Sequence, residues 1–239
     1  MRNKLTEIEK EKILKFGPQE LFTERSKEAL EYLKNTRGFS EEIIKKFSLG
    51  YMPQNVNNCE GQVHELSGRI IIPIIDQYDD LVAFSSRDWR ENCKKPFWHE
   101  SYQKSNYVYA LNIAKKSIIR NKKAIIVEGE FDVIKLHQFN IDCAVGVCGS
   151  APQLFQIALL RRYCKEIFLV FDGDVAGAAA SDRITKDKMV GFFNQAFYDT
   201  NLISVKLPNK KDPDDYIKEY GAKAFINLLQ EAKNKYKDK

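Results

Sequence analysis

Four apolar runs in the second half of the chain restrict its fold most: AIIV (124–127), CAVGV (143–147), IFLVF (167–171) and LISVK (202–206). Stretches with helical patterning near 130–139, 152–162 and 175–196 separate them. Each run is too short for a helix, rich in β-branched and aromatic residues, and apolar almost throughout rather than at alternate positions. Strands that are apolar on both sides need cover on both sides. The alternation with helices supplies that cover, so the pattern predicts an α/β fold with a mostly parallel sheet, right-handed crossovers and helices on both faces. A last helix is predicted near 213–236.

The first half reads differently. Residues 1–25 are strongly charged, with a helical stretch near 5–16 that Gly17 and Pro18 should end, and they read as a charged helical extension. From Ser26 an amphipathic helix, SKEALEYLKNTRG, should stop at Gly38, and Ser40 should cap a second, SEEIIKKF, with Ile43, Ile44 and Phe47 on one face. GRIIIPII (68–75) and LVAFSSR (81–87), joined by the turn-forming DQYDD, predict a hairpin in which Pro73 marks an edge position or a bulge. With a helix near 111–120, residues 26–120 form a smaller α+β subdomain. Residues 121–210 then carry the parallel sheet, and 211–239 an acidic loop and the final helix.

Composition narrows the functional classes. No run reaches the roughly 18 apolar residues of a membrane helix, and the charged start MRNKLTEIEKEK has no apolar leader core, so a cytoplasmic protein with no membrane partner is expected. The formal charge of +5, from 38 basic against 33 acidic residues, permits a nucleic-acid partner without requiring one. Cys59, Cys93, Cys143, Cys148 and Cys164 form no CxxC pair and have no histidine at zinc-ligand spacing. No zinc site is expected, and all five read as free thiols.

Ligands of such sheets bind beyond the carboxyl ends of the strands. Acids placed there carry the chemistry. Glu128 follows AIIV directly in VEGEFDV, with Asp132 in the first turn of the next helix; Asp172 and Asp174 follow IFLVF in FDGDVAG; Asp212 and Asp214 follow LISVK in KDPDDY. Taken singly, each pair also reads as turn and capping residues, and Asp212 before Pro213 is a good helix N-cap. Taken together, six carboxylates on one rim cannot all stay ionised without a cation. Oxygen donors with no Cys or His companion select Mg²⁺ or Mn²⁺, and phosphate-transfer chemistry follows.

In that order and at those strand ends, VEGEFDV, FDGDVAG and KDPDDY resemble the three signatures of the TOPRIM domain, shared by DnaG-type primases, topoisomerases and some nucleases. Upstream, ALEYLKNTRGFSEEIIKKFSLGYMP (29–53), GRIIIPIIDQYDDLVAFSSR (68–87) and KPFWHESYQKSNYVYAL (95–111) resemble the N-terminal half of the DnaG-type RNA polymerase core. The resemblance covers about residues 28–232. It implies a TOPRIM domain, Rossmann-like, preceded by a primase N-terminal subdomain. It also implies a metal-dependent nucleotidyltransferase that makes RNA primers from ribonucleoside triphosphates on a single-stranded DNA template during replication.

Carried over by motif, Glu128, Asp172, Asp174, Asp212 and Asp214 would hold the divalent metal. Glu128, Asp132, Asp172 and Asp174 would form the catalytic group, with Glu128 as acid or base. Arg69, Arg87, Lys95 and Lys104 would hold triphosphate and template, although Arg69 and Arg87 also read as solvated strand ends. In 93–109 the aromatics interleave with lysines, a pattern that serves base stacking or core packing equally. The family's zinc-binding and helicase-binding domains are not found. A replicative helicase or a separate zinc-bearing initiation factor is therefore expected as partner, in a bacterial, plasmid or phage replication system, with the chain itself a monomer. Two departures stand out, Glu130 where an aromatic is usual and Val175 where a basic residue is. A TOPRIM nuclease and a non-catalytic nucleotide-binding adaptor of the replisome are the other readings.

Overall fold

The computed structural model describes residues 5–53, 66–90, 93–149, 151–171, 199–208 and 211–237. The chain divides into two compact units, Met1–Tyr102 and Gln103–Lys239. The division falls before the helix at 111–120 rather than after it. Tyr109 is the reason: it exchanges backbone hydrogen bonds of 2.8 and 3.1 Å with Gly146, which commits the segment ahead of that helix to the second unit.

The first unit is built on an antiparallel sheet in the order β1 (Gly50–Met52), β2 (Arg69–Ile75), β3 (Leu81–Arg87), β4 (Phe97–His99). The expected hairpin is β2–β3, with Ile70 opposite Arg87 and Pro73 opposite Phe84. Pro73 lies beyond the stretch of β2 that β1 pairs, where its missing N–H costs no ladder bond. The strand β4 was not expected at all.

Helix α1 (Glu7–Glu20) starts at a capping box, Thr6 with Glu9, and runs through Gly17 and Pro18 instead of ending there. Packing overrides the breakers. Leu5 and Ile13 join Met52, Ile71 and Phe84 in one buried cluster, and Gly17 lies so close to Gly50 that a β-carbon on Gly50 would sit 2.7 Å from the Gly17 carbonyl carbon. Lys10, also buried, donates to the Val82 carbonyl at 2.7 Å and stands 3.6 Å from Glu100. Burial pushes the Glu100 carboxyl above its ordinary range, against the backbone N–H groups of Leu5 and Phe84 that it accepts. Leu5, Ile13 and Leu21 are thus part of this unit's core.

Beyond α1 come α2 (Lys27–Glu31), which continues as a wider π turn over Tyr32–Thr36, and α3 (Glu41–Lys46). Gly38 has φ 64°, and the Ser40 hydroxyl accepts from Ile43 N at 3.2 Å, so stop and cap both fall at their expected residues.

The second unit opens with α4 (Leu111–Asn121) and holds a parallel sheet in the order β6 (Ala144–Gly146), β5 (Lys123–Val127), β7 (Glu166–Phe171), β8 (Asn201–Lys206). Strands β6, β5 and β7 are buried almost throughout, as continuous apolar runs require, while the edge strand β8 buries only Ile203 and Val205. Helices α5 (Glu130–Gln138) and α6 (Leu154–Leu160) make the crossovers among the described residues, and the helix expected near 175–196 lies outside them. The last helix, α7 (Pro213–Lys237), is broken at Gly221, whose φ of 79° and ψ of 169° are not helical.

Candidate active site

The strand order decides where a site can form. The chain makes β5 first, steps to β6 on one side, then crosses back to β7 on the other. The ends of β5 and β7 therefore flank the switch point, the crevice where open α/β sheets bind ligands. Glu128 sits there, half-buried, directly after β5. The parallel register pairs Ile126 with Leu169, and continuing it sets Glu128 level with Phe171, the residue before Asp172. Asp172 and Asp174 themselves lie outside the described residues.

Asp132 folds back over the same strand end. Its Oδ2 accepts the Gly129 N–H at 3.3 Å, closing the first turn of α5. A β-carbon at residue 129 would meet that oxygen at 2.9 Å, so a larger residue there would push the carboxylate aside. Helix α5 directs its positive end toward this rim, which favours anionic ligands.

The third acidic motif divides in two. Asp212 is half-buried and caps α7, accepting from Asp215 N at 2.6 Å, with Pro213 at the first helical position. Asp214 is 1% exposed and lies between two lysines: Lys135 of α5, itself 1% exposed, at 3.7 Å, and Lys218 at 3.0 Å. A carboxylate so enclosed is already balanced by cations of the protein. Lys135 was missed in the sequence because it interrupts a run of buried apolar positions, Val133, Ile134 and Leu136, where only its partner explains it. Among the described residues, no three His, Cys, Asp or Glu side chains gather closely enough to hold one metal ion.

Beside the rim, Tyr109 is buried, and its phenol is held well above its ordinary range by burial first and then by the charges of Glu130 and Cys148. Glu130, the residue that departs from the family pattern, is buried as well. Lys104 donates to the Cys148 carbonyl at 3.0 Å, just past β6, while its own carbonyl accepts from Gln156.

The other basic candidates belong to the first unit and differ in what they offer. Arg69 is 8% exposed and its guanidinium is fully engaged: Nε on the Ser86 hydroxyl at 2.9 Å, and the two terminal nitrogens on Asp88 at 3.3 Å and on the Lys95 carbonyl at 2.8 Å. Asp88 also takes both arms of Arg90, whose hydrogen bonds hold its carboxyl below the usual range. Arg69 thereby braces the segment that carries Lys95. Arg87 is half-buried over the Phe97 ring, 4.4 Å from its centroid, and Lys95 is exposed.

Comparison with known proteins agrees with this architecture. Residues 122–195 match the Toprim domain family, and residues 16–66 match the family described as DNA primase catalytic core, N-terminal domain. The chain is 31% identical over 230 residues to the DNA primase of Legionella pneumophila, covering 85% of this chain and 39% of that protein. It spans about two fifths of the length of such relatives. The solved Aquifex aeolicus primase, comprising zinc-binding and RNA polymerase domains, is 26% identical with a TM-score of 0.80 over 92% of this chain and 59% of that one. A DnaG primase catalytic domain solved with single-stranded DNA shares the fold at a TM-score of 0.80 and 22% identity, over 92% of this chain and 76% of that one. The chain belongs to the DnaG-type primases, as a catalytic core in which the primase N-terminal domain leads into a Toprim domain.

Proposed function

We propose that this chain synthesises RNA primers on single-stranded DNA by nucleotidyl transfer. The observation that carries the reading is the placement of Glu128 at the switch point of a Toprim sheet, in a chain whose residues 16–66 match the primase N-terminal domain. The donors that the sequence offers at this rim are carboxylate oxygens, which fit Mg²⁺ or Mn²⁺ and disfavour softer metals. Glu128, Asp172, Asp174 and Asp212 would hold the ion, and Asp214 would stand behind Asp212 as the buried counter-charge of Lys135 and Lys218. The bound ion would supply positive charge to the attacking and leaving oxygens.

The protein's own groups would do the rest. The 3′-hydroxyl of the primer attacks the α-phosphate of the incoming ribonucleotide, and pyrophosphate leaves. Glu128, at the strand end, would take the hydroxyl proton. Asp132 would keep the turn at Gly129 closed, so that the Glu128 backbone stays fixed against β5. Lys95, Lys104 and Arg87 would hold triphosphate and template phosphates, with Arg69 bracing Lys95 from beneath.

The test is to incubate the chain with a single-stranded DNA template, labelled ribonucleotides and Mg²⁺ or Mn²⁺. New short RNA that vanishes on chelation, and in Asp172→Ala, is the expected result. Template cleavage would instead identify a Toprim nuclease, and nucleotide binding with neither product an adaptor. Synthesis retained by Asp172→Ala would overturn the metal assignment.

A further inference from the structure

The amino ends of the parallel strands, opposite the acidic rim, carry a charge pattern that primer synthesis does not use. Residues 101–127 hold no Asp or Glu but six cations, Lys104, Lys115, Lys116, Arg120, Lys122 and Lys123, of which the last three close α4 and open β5. The connection from α6 into β7 adds Arg161, Arg162 and Lys165. These two connections are neighbours, because Lys123 and Glu166 are partners in the parallel register of β5 and β7. Strand β5, about 16 Å of extended chain, separates them from Glu128, so phosphates held at the rim do not reach them.

The carboxylates at this end are already engaged: Glu166 with Lys233 at 2.6 Å, Asp199 with Arg161 at 3.1 Å, and Asp142 at 3.3 Å from the His137 ring. Among the described residues, no hydrogen bond or ion pair holds Lys116, Arg120, Lys122, Lys123, Arg162 or Lys165. Cations in the last turn of a helix offset its dipole, which accounts for Arg120 and Lys122 but not for Lys116, a turn earlier, or for the cations ahead of β7. Lys122 has φ 54° and ψ 26°, a left-handed conformation that glycine adopts at lower cost, so the backbone gives no reason for a lysine there. One apolar residue stands among these charges. Ile119 is 52% exposed, and its helical neighbours one turn back, Lys115 and Lys116, and the residue after it, Arg120, are all cationic. A polynucleotide would gain from the cations but not from Ile119, which offers a base no ring to stack on. A peptide with carboxylates on either side of an apolar side chain matches both features.

We infer that the end of α4 and the connection from α6 into β7 form a docking surface for an acidic segment of a partner protein. Ile119 receives an apolar side chain of that segment, and Lys116, Arg120, Lys122, Arg162 and Lys165 receive the carboxylates that flank it. Docking there needs neither template, nucleotide nor metal, so it is tested apart from primer synthesis.

The experiment measures, by fluorescence anisotropy in chelator, the affinity of the full chain for a labelled peptide of aspartates interrupted by one leucine, for its counterpart with serine in place of leucine, and for a short DNA duplex. The leucine peptide should bind at least about threefold more tightly than the serine peptide, as partial burial of one apolar side chain implies. Ile119→Ser should erase that difference while leaving the serine peptide unchanged. Arg162→Glu combined with Lys165→Glu should weaken both peptides by about tenfold, since each reversal turns an attraction into a repulsion. Equal affinity of the wild-type chain for the two peptides, or full affinity in the charge-reversed chain, would overturn the inference even where primers are made. A duplex that binds more tightly than the leucine peptide and loses that affinity in the same charge-reversed chain would overturn it too, and would assign the surface to nucleic acid.

Discussion

Asp214 shows how much a single residue's surroundings change its meaning. By motif it belongs with Asp212, yet one carboxylate caps a helix at the edge of solvent and the other is enclosed by Lys135 and Lys218. Removing one partner of a buried pair leaves the other charge uncompensated, at a cost of about 3–5 kcal/mol, whereas replacing both by apolar groups is often neutral. Asp214→Asn should therefore lower the urea midpoint strongly, and Asp214→Leu combined with Lys135→Met should recover most of the loss. A fold unaffected by Asp214→Asn, together with lost Mn²⁺ binding, would instead assign this carboxylate to the metal. The sequence displays all six acids but not this division of labour. A lysine inside a buried helical face reads as an exception until the facing helix is seen. Arg69 is a similar case, legible as a basic residue at a strand start but not as one whose guanidinium faces inward onto Ser86, Asp88 and the Lys95 carbonyl.

At the level of elements, the runs that were legible are those whose local pattern and tertiary role agree. The four strands of the parallel sheet fall within a residue or so of their apolar runs, since runs so short and so rich in β-branched and aromatic residues leave no room for a helix. The elements that sequence reasoning missed lack such agreement. In β4, three residues follow two lysines and a proline, too few to show alternation, and pairing with β3 makes the strand. In α1, Gly17 and Pro18 are local stop signals outweighed by contact with β1 and by the burial of Leu5, Ile13 and Leu21. The break in α7 has the opposite character, a local feature with no packing cause. No atom lies within 4 Å of where a β-carbon on Gly221 would sit, so its φ of 79° alone resists substitution. Gly221→Ala should cost about 1–3 kcal/mol in chemical denaturation, the price of a conformation reserved to glycine. An unchanged midpoint would mean that α7 straightens without loss.

For the whole molecule, the buried thiols make stability depend on alkaline pH. Cys164 is held at about 12 against an ordinary 9.0, and Cys143 is raised as well, both by burial first. Between about pH 9 and 12 the unfolded chain gives up the Cys164 proton and the folded chain keeps it, and Cys143 adds to the effect in the same direction. The folded state then binds more protons, so stability falls as pH rises, by at most about 1.4 kcal/mol per unit for each group. Urea midpoints at pH 8 and pH 10 should show that decline, and Cys164→Ala should make it shallower. The two-part organisation was legible from the change of pattern along the chain, but the division at Tyr102 was not, because it depends on the backbone bridge between Tyr109 and Gly146.

The order β6-β5-β7-β8 also has a consequence for how the chain is made. The ribosome releases β5 some 40 residues before β7, the neighbour that closes its second side, about two to eight seconds at ordinary translation rates. During that interval Ala124–Val127 present a bare apolar edge, the kind of strand that recruits another copy. A nascent or truncated chain that stops after α6 should therefore be insoluble, although it contains every residue of β5, β6 and their crossover helix. Solubility should return only when the chain extends through β7, the run that Asp172 and Asp174 follow in the sequence.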